Sequence, residues 1–176
     1  MSLIQRVASR PVIAEAVGDV ITRPDNTTAY TAGDAIANSA TDASVTAFSI
    51  DTAAAGKNAP VRITRARVET TDTGAANTFR VYIYNADPTA ASGVVGADNE
   101  AFSNKRNGLV GTLIGEAFAM SDGKVIFATP EIADTPIICT PESGTSVLYW
   151  QLQTVDGFTP IAESTWTITL ELEQGV

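Results

Sequence analysis

The sequence contains no histidine and only one cysteine. Without histidine it lacks the commonest general base, the commonest zinc ligand and the usual switch near neutral pH. A single cysteine excludes an intramolecular disulfide and any thiolate cluster. Cys139 lies in the apolar run Pro136-Ile-Ile-Cys139-Thr140, which reads as a strand holding a buried, inert thiol. Aromatic residues make up 7% and charged residues 18% of the chain, the latter below the quarter usual for globular domains. No apolar run approaches the roughly 18 residues of a membrane-spanning helix. The opening stretch Met1–Pro11 also lacks the hydrophobic segment of a signal peptide. The expectation is a chain that stays where it is made and does not enter a membrane. Basic residues are scarce as well: 11 Lys and Arg face 20 Asp and Glu, for a net charge of −9. Such a chain repels a phosphate backbone, so nucleic acid is not an expected partner.

What is present points to strands. The 176 residues include 27 alanines and 23 threonines, and Thr, Val and Ile favour a pleated surface. Trp166, Ile168, Leu170 and Leu172 alternate with Thr165, Thr167, Thr169, Glu171 and Glu173, one face apolar and the other polar. Phe79, Val81 and Ile83 alternate with Arg80, Tyr82 and Tyr84. Leu148, Trp150 and Leu152 alternate with Val147, Tyr149 and Gln151. Each period-2 run predicts a half-buried antiparallel strand. Over 61–72 the phase changes from Val61 and Ile63 to Ala66 and Val68, which predicts a β-bulge or a bend. Further strands are expected at 17–22, 34–38, 44–50, 109–119, 124–128 and 135–140, separated by turn signals such as Arg23-Pro24-Asp25-Asn26 and Ser121-Asp122-Gly123. No amphipathic helix of ordinary length is visible. About eight to ten such strands in one domain predict an all-β fold, an antiparallel β-sandwich of jelly-roll type. Residues 1–15 read as an N-terminal arm, 16–176 as the single domain. Residues 86–107 form a long Ala/Gly/Asp/Asn-rich loop, a length typical of functional segments. Phe102 is its one large apolar ring, expected to pin a short helical turn.

Motifs that resemble reactive sites fail on geometry. Ser121-Asp-Gly-Lys124 has the spacing of a serine nucleophile with a lysine base, but Asp-Gly makes a hairpin turn rather than a helix face. The glycines at 108, 111 and 115 match neither a dinucleotide fingerprint nor a P-loop, and serve instead for bends or close strand approach. Asp19, Asp25 and Asp34 lack the alternating oxygen ligands of a calcium loop. A carboxylate pair for glycoside hydrolysis needs no histidine, but twenty acids will supply suitable spacings by accident. No catalytic residue, cofactor or metal is therefore expected. Arg62, Arg65 and Arg67 are the one dense basic group. They read either as a solvated face balanced by acids on neighbouring strands or as a docking patch for an acidic surface.

One stretch is more distinctive: Ile21-Thr-Arg23-Pro24-Asp-Asn-Thr-Thr28-Ala-Tyr30-Thr-Ala-Gly33-Asp34. It resembles a segment near the start of small structural proteins of tailed bacteriophages. In the same order follow Arg62-Ile-Thr-Arg-Ala66, Arg80-Val-Tyr-Ile-Tyr-Asn-Ala-Asp-Pro88, Asp98-Asn99-Glu-Ala-Phe102 with Leu109 to Gly115, and Tyr149 to Leu172. Together these scattered pieces, over about 18–173, resemble the capsid decoration, or cement, protein family. That resemblance implies a jelly-roll virion protein, a homotrimer on the outer surface of an icosahedral head, made in the bacterial host cytoplasm. It implies the major capsid protein as partner and no enzymatic activity. Arg23, Pro24, Tyr30, Gly33, Asp34, Asp98, Asn99 and Phe102 match its motifs and are expected to be structural. For the partner interface the candidates are Leu3, Ile4, Arg6, Val7 and Arg10 in the arm, with Arg62, Arg65 and Arg67. The alternative is another virion part, such as a fibre base, a tail component or a carbohydrate-binding module, with Tyr82, Tyr84 and Tyr149 as candidate sugar-facing rings.

Overall fold

The computed structural model describes residues 12–52, 58–89, 96–103, 108–131 and 135–174. Among these, eleven strands form one antiparallel sheet, and the sole helical feature is a 3₁₀ turn at Asp42–Ser44. The strands are β1 (Val12–Val17), β2 (Ile21–Thr22), β3 (Ala35–Ile36), β4 (Phe48–Asp51), β5 (Val61–Thr70), β6 (Thr78–Tyr84), β7 (Leu109–Ala119), β8 (Lys124–Pro130), β9 (Ile137–Cys139), β10 (Val147–Thr154) and β11 (Thr165–Gln174). The main path runs β1-β11-β5-β8-β7-β6-β10-β3. Strand β4 also pairs with β10, β2 with β11 and β9 with β5. A bridge between Gly18 and Ile50 joins the β1 end to β4, so the sheet curls back on itself around one core. This is the all-β, jelly-roll-type architecture that the alternating runs predicted.

Alternation explains which face is inside. Trp166, Ile168, Leu170 and Leu172 of β11 are fully buried, as are Val61, Ile63, Ala66 and Val68 of β5 and Phe79, Val81 and Ile83 of β6. Leu148, Trp150 and Leu152 of β10 complete the same core. Each large aliphatic side chain contributes about 1.5–3 kcal/mol by leaving water. The predicted phase change in β5 is a bulge: Ile63 pairs with Leu172 and Arg65 with Glu171, leaving Thr64 unpaired in the register. Both Thr64 and Arg65 therefore point outward, and Ala66 returns to the core. At Gly115 of β7, an added Cβ would lie 2.4 Å from the Phe127 carbonyl oxygen. Only glycine allows β7 and β8 to approach this closely.

Two expectations are corrected. Residues 12–15, assigned to an arm, belong to β1 and pair with Glu171 to Gln174 of β11. The strand was obscured because it reverses the usual pattern: Ala16 is buried while Ile13 and Val17 are exposed. Residues 1–11, with Leu3, Ile4, Arg6, Val7 and Arg10, lie outside the described residues. The turn expected near Phe102 is not helical: the described residues 96–103 make a tight turn at Asp98 and Asn99 and run beside β3.

Candidate functional site

Three places in the fold collect the residues singled out in the sequence. The first is a buried polar knot at one end of the sheet. Arg23 follows β2, Tyr30 precedes β3, and Asp98 comes from the long loop. Arg23 Nη2 donates to Asp98 Oδ2 at 2.8 Å, with both side chains fully shielded from solvent. The Tyr30 hydroxyl donates to Asp98 Oδ1 and accepts from Arg23 Nε. Ala37 N–H also donates to Asp98 Oδ1, at 3.1 Å, and Arg23 Nη1 donates to the Ile161 carbonyl at 3.0 Å. Arg23, Tyr30 and Ala37 thus meet on the one carboxylate of Asp98, and the 156–164 loop joins the knot through Arg23. Burial by itself lowers the Arg23 pKa, but the hydrogen bond and charge of Asp98, with Tyr30, outweigh it and the guanidinium is held more firmly protonated. Burial, reinforced by the charge of Asp98, pushes the Tyr30 phenol far upward. A fully paired, solvent-excluded ion pair of this kind has no open coordination or attacking group, so its chemistry is positional.

The other motif residues surround the knot. Gly33 sits at φ +94°, which only glycine adopts without strain, and its carbonyl accepts from Phe102 N–H at 2.9 Å. Asp34 Oδ2 accepts from the Thr31 N–H and hydroxyl, closing the turn before β3. Asn99, at φ +64°, donates its N–H to the Ala35 carbonyl; asparagine tolerates that conformation better than most residues. The Pro24 carbonyl accepts from Asn26 N–H. Arg23 and Asp98, 75 positions apart in sequence, are brought together at one end of the molecule.

The second place is the outer face of β6 and β10. Phe102 stacks on Tyr82 with ring centroids 4.3 Å apart, and Leu109, Tyr84 and Tyr149 pack with them. Tyr82 and Tyr84 are buried and Tyr149 half-buried, so these rings do not present the open aromatic platform expected of a sugar-binding face. The Tyr149 hydroxyl donates to Glu142, and burial together with that carboxylate pushes its pKa up to about 12. Beside them, Arg80 binds Glu131 at 2.9 Å, and Gln153 accepts from Tyr82 at 2.9 Å.

The third is the outer face of β1-β11-β5-β8-β7. Arg62 pairs with Glu173 at 3.1 Å, Arg65 pairs with Glu171, and Arg67 Nε lies 3.6 Å from Glu69. The arginines are therefore not free cations, which weakens the electrostatic version of a docking patch. The strand pairing also reveals what sequence reading missed. Phe127 of β8 and Phe118 of β7 are 41% and 54% exposed and in ring contact at 6.3 Å. The Arg65 guanidinium lies 5.5 Å from the Phe127 ring centre. Their alternation with Ile126, Ala128 and Ala117 in the sequence was the available signal, since it places them outward.

Candidate reactive groups are accounted for. The Lys124 ammonium donates to the Ala75 carbonyl rather than activating Ser121. Asp19 accepts from Ser49, away from the Asp34 turn. Cys139 is buried, which pushes its thiol up to about 11.

No protein-family model matches the chain, and no curated protein sequence does. Solved structures similar to it include a chain of the capsid of Ralstonia phage GP4, 16% identical, covering 100% of this chain and 92% of that one with a TM-score of 0.41. A chain of the cyanophage Pam1 capsid asymmetric unit is 13% identical, covering 99% and 96% with a TM-score of 0.37. A chain of Desmodium yellow mottle tymovirus is 11% identical, covering 99% and 93% with a TM-score of 0.31. Likeness this slight says nothing of activity or partner.

Proposed function

We propose that the chain is a non-enzymatic virion structural protein, a decoration or cement protein on the outer surface of an icosahedral phage head. In this reading it acts as a homotrimer, is made in the bacterial host cytoplasm, and takes the major capsid protein as its partner. The observation that carries the reading is the convergence of the ordered motif residues. Arg23, Tyr30, Gly33, Asp34, Asp98, Asn99 and Phe102, quoted for the resemblance to that family, meet around one buried knot. Residues dispersed along a sequence gain a common reason when one fold requires them together. The knot also rigidifies the end of the sheet, as a part that must hold its shape under load requires.

The partner-facing part in this reading is the N-terminal segment with Leu3, Ile4, Arg6, Val7 and Arg10. It joins β1 at Val12, which pairs with Gln174 next to the Arg62–Glu173 ion pair. Arg62, Arg65 and Arg67 flank that contact as an ion-paired, rigid surface.

The test uses phage heads assembled without the gene for this chain. Purified full-length protein is expected to co-sediment with them saturably and to raise their resistance to heat, and removal of residues 1–11 is expected to abolish binding. Protein that stays in the supernatant at every ratio would overturn the reading.

A further inference from the structure

β1 is the outermost strand of the sheet path, and among the described residues it pairs with β11 alone. The Gly18 N–H donates to the Ile168 carbonyl at 2.9 Å. In an antiparallel pair this parity turns the backbone groups of Ala14 and Ala16 to β11 and those of Ile13, Glu15 and Val17 to the opposite edge. At that edge β1 reaches β4 through the Gly18–Ile50 bridge, beside the bond from Asp19 N–H to the Ser49 carbonyl. Beyond the bridge the two strands part around a slot of about 150 Å³, lined by Ala14, Glu15, Ala16, Asp51 and Thr52 among others. The N–H and C=O groups of Ile13 and Glu15 face this slot, and no described strand pairs with them.

From this edge we infer that β1 takes up an extended segment of a different protein as an added strand, with a lysine or arginine opposite Glu15 and apolar residues opposite Ile13 and Val17. The inference deepens the proposed function and rests on that reading for the partner, the major capsid protein. Strand addition of this kind draws affinity from main-chain hydrogen bonds and specificity from alternate side chains.

Three observations select the occupant. The edge is unguarded: Val12-Ile-Ala-Glu-Ala-Val17 has no Lys, Pro or bulge within it, and Ile13 and Val17 are 75% and 63% exposed. The slot is acidic. Glu15 lies opposite Glu171, and Arg65 gives its hydrogen bonds to Glu171, so Glu15 holds no ion pair among the described residues. Asp51 adds a second carboxylate to the lining. A cation on the incoming strand therefore meets an unanswered charge. A second copy fits poorly: two β1 edges paired about their centres would set Glu15 against Glu15, and like charges directly opposite destabilise a pair. Nor can a copy donate its basic strand, because β5 is held inside the sheet by β11, β8 and β9.

The test is amide hydrogen exchange of the full chain, free and bound to phage heads assembled without its gene. Exchange at Ile13 and Glu15 is expected to be fast in the free chain and slowed more than about tenfold in the complex, while Ala14 and Ala16 stay slow in both. Glu15→Pro removes an edge-facing N–H without touching a bond to β11. It is expected to weaken head binding about tenfold or more, with circular dichroism and melting temperature reporting the fold. Glu15→Lys repeats the test through charge alone, with a loss in the same direction. The synthetic peptide Thr-Val-Thr-Lys-Thr-Val-Thr is a probe independent of heads: it is expected to shift the NMR signals of Ile13, Glu15 and Val17, and not those of Glu15→Pro. Heads that bind the chain but leave Ile13 and Glu15 in fast exchange, or that bind both folded variants like wild type, would overturn the inference and leave the proposed function standing. Protection of those amides in the free chain would also overturn it. Protection rising with concentration would give the edge to a second copy, and protection lost on removal of residues 1–11 would give it to the chain's own N-terminal segment. Peptide binding at β1 by a chain that ignores heads would sink only the proposed function; binding to neither would sink both.

Discussion

Removing Asp98 isolates a buried guanidinium. In Asp98→Ala, Arg23 loses its only ion-pair partner among the described residues while remaining fully buried, and the Tyr30 hydroxyl and Ala37 N–H lose an acceptor. Breaking a buried pair from one side costs about 3–5 kcal/mol, because the surviving charge has neither water nor a counterion. Domains of this size shift in melting temperature by roughly 2–4 °C per kcal/mol, so a fall of about 6–20 °C is expected. Urea unfolding followed by tryptophan fluorescence measures the change directly, since Trp150 and Trp166 are both fully buried. The companion variants are Arg23→Met alone and Arg23→Met with Asp98→Leu. The double variant removes both charges together, so its cost is expected to be well below the sum of the single ones. Faster amide hydrogen exchange at Ala37 and across 96–102 would localise the loss to the knot. An Asp98→Ala cost under about 1 kcal/mol, or additive single costs, would refute the account of the knot as a charge-paired lock.

Two further predictions concern the sheet. Burial holds the Cys139 thiol protonated up to about 11 from an ordinary 9.0, and Tyr30 and Tyr84 are shifted upward in the same sense by burial. The folded chain thus keeps protons that the unfolded chain releases. This contribution to stability is complete below pH 9 and falls as pH rises toward 11, by at most about 1.4 kcal/mol per pH unit for Cys139. Denaturant midpoints measured between pH 8 and 10 are expected to decline, and Cys139→Ala to flatten that decline; an unchanged slope in the variant would contradict the assignment. In Gly115→Ala the new methyl would meet the Phe127 carbonyl and Ala128 Cα at 2.4 and 2.7 Å, so β7 and β8 must separate. The expected destabilisation is about 1–3 kcal/mol or more in the same urea assay; a neutral substitution would show that the hairpin yields without cost.

The alternating runs of β5, β6, β10 and β11 were legible because each strand is buried on one face and side chains alternate strictly along it. The bulge in β5 was legible for the same reason, as a change of phase between Ile63 and Ala66. By contrast, β1 carries its large side chains outward and its alanines inward, so its pattern does not announce which face is covered. The tyrosines of β6 occupy outward positions, which suggested open rings. The segment ending at Phe102 returns from elsewhere in the chain and covers them. Arg62, Arg65 and Arg67 were visible as a cluster, but the pairing of Arg62 with Glu173 and of Arg65 with Glu171 depends on the register between β5 and β11.

What the sequence alone determined, then, was the absence of the usual reagents and the presence of short, half-buried strands. Composition and periodicity are local properties, and both survive without knowledge of what lies opposite. The Arg23–Asp98 pair, the covered tyrosines and the open edge of β1 depend on contacts between distant segments. Those were decided by tertiary structure, because strand order and register choose which side chains share a face and which are left to water.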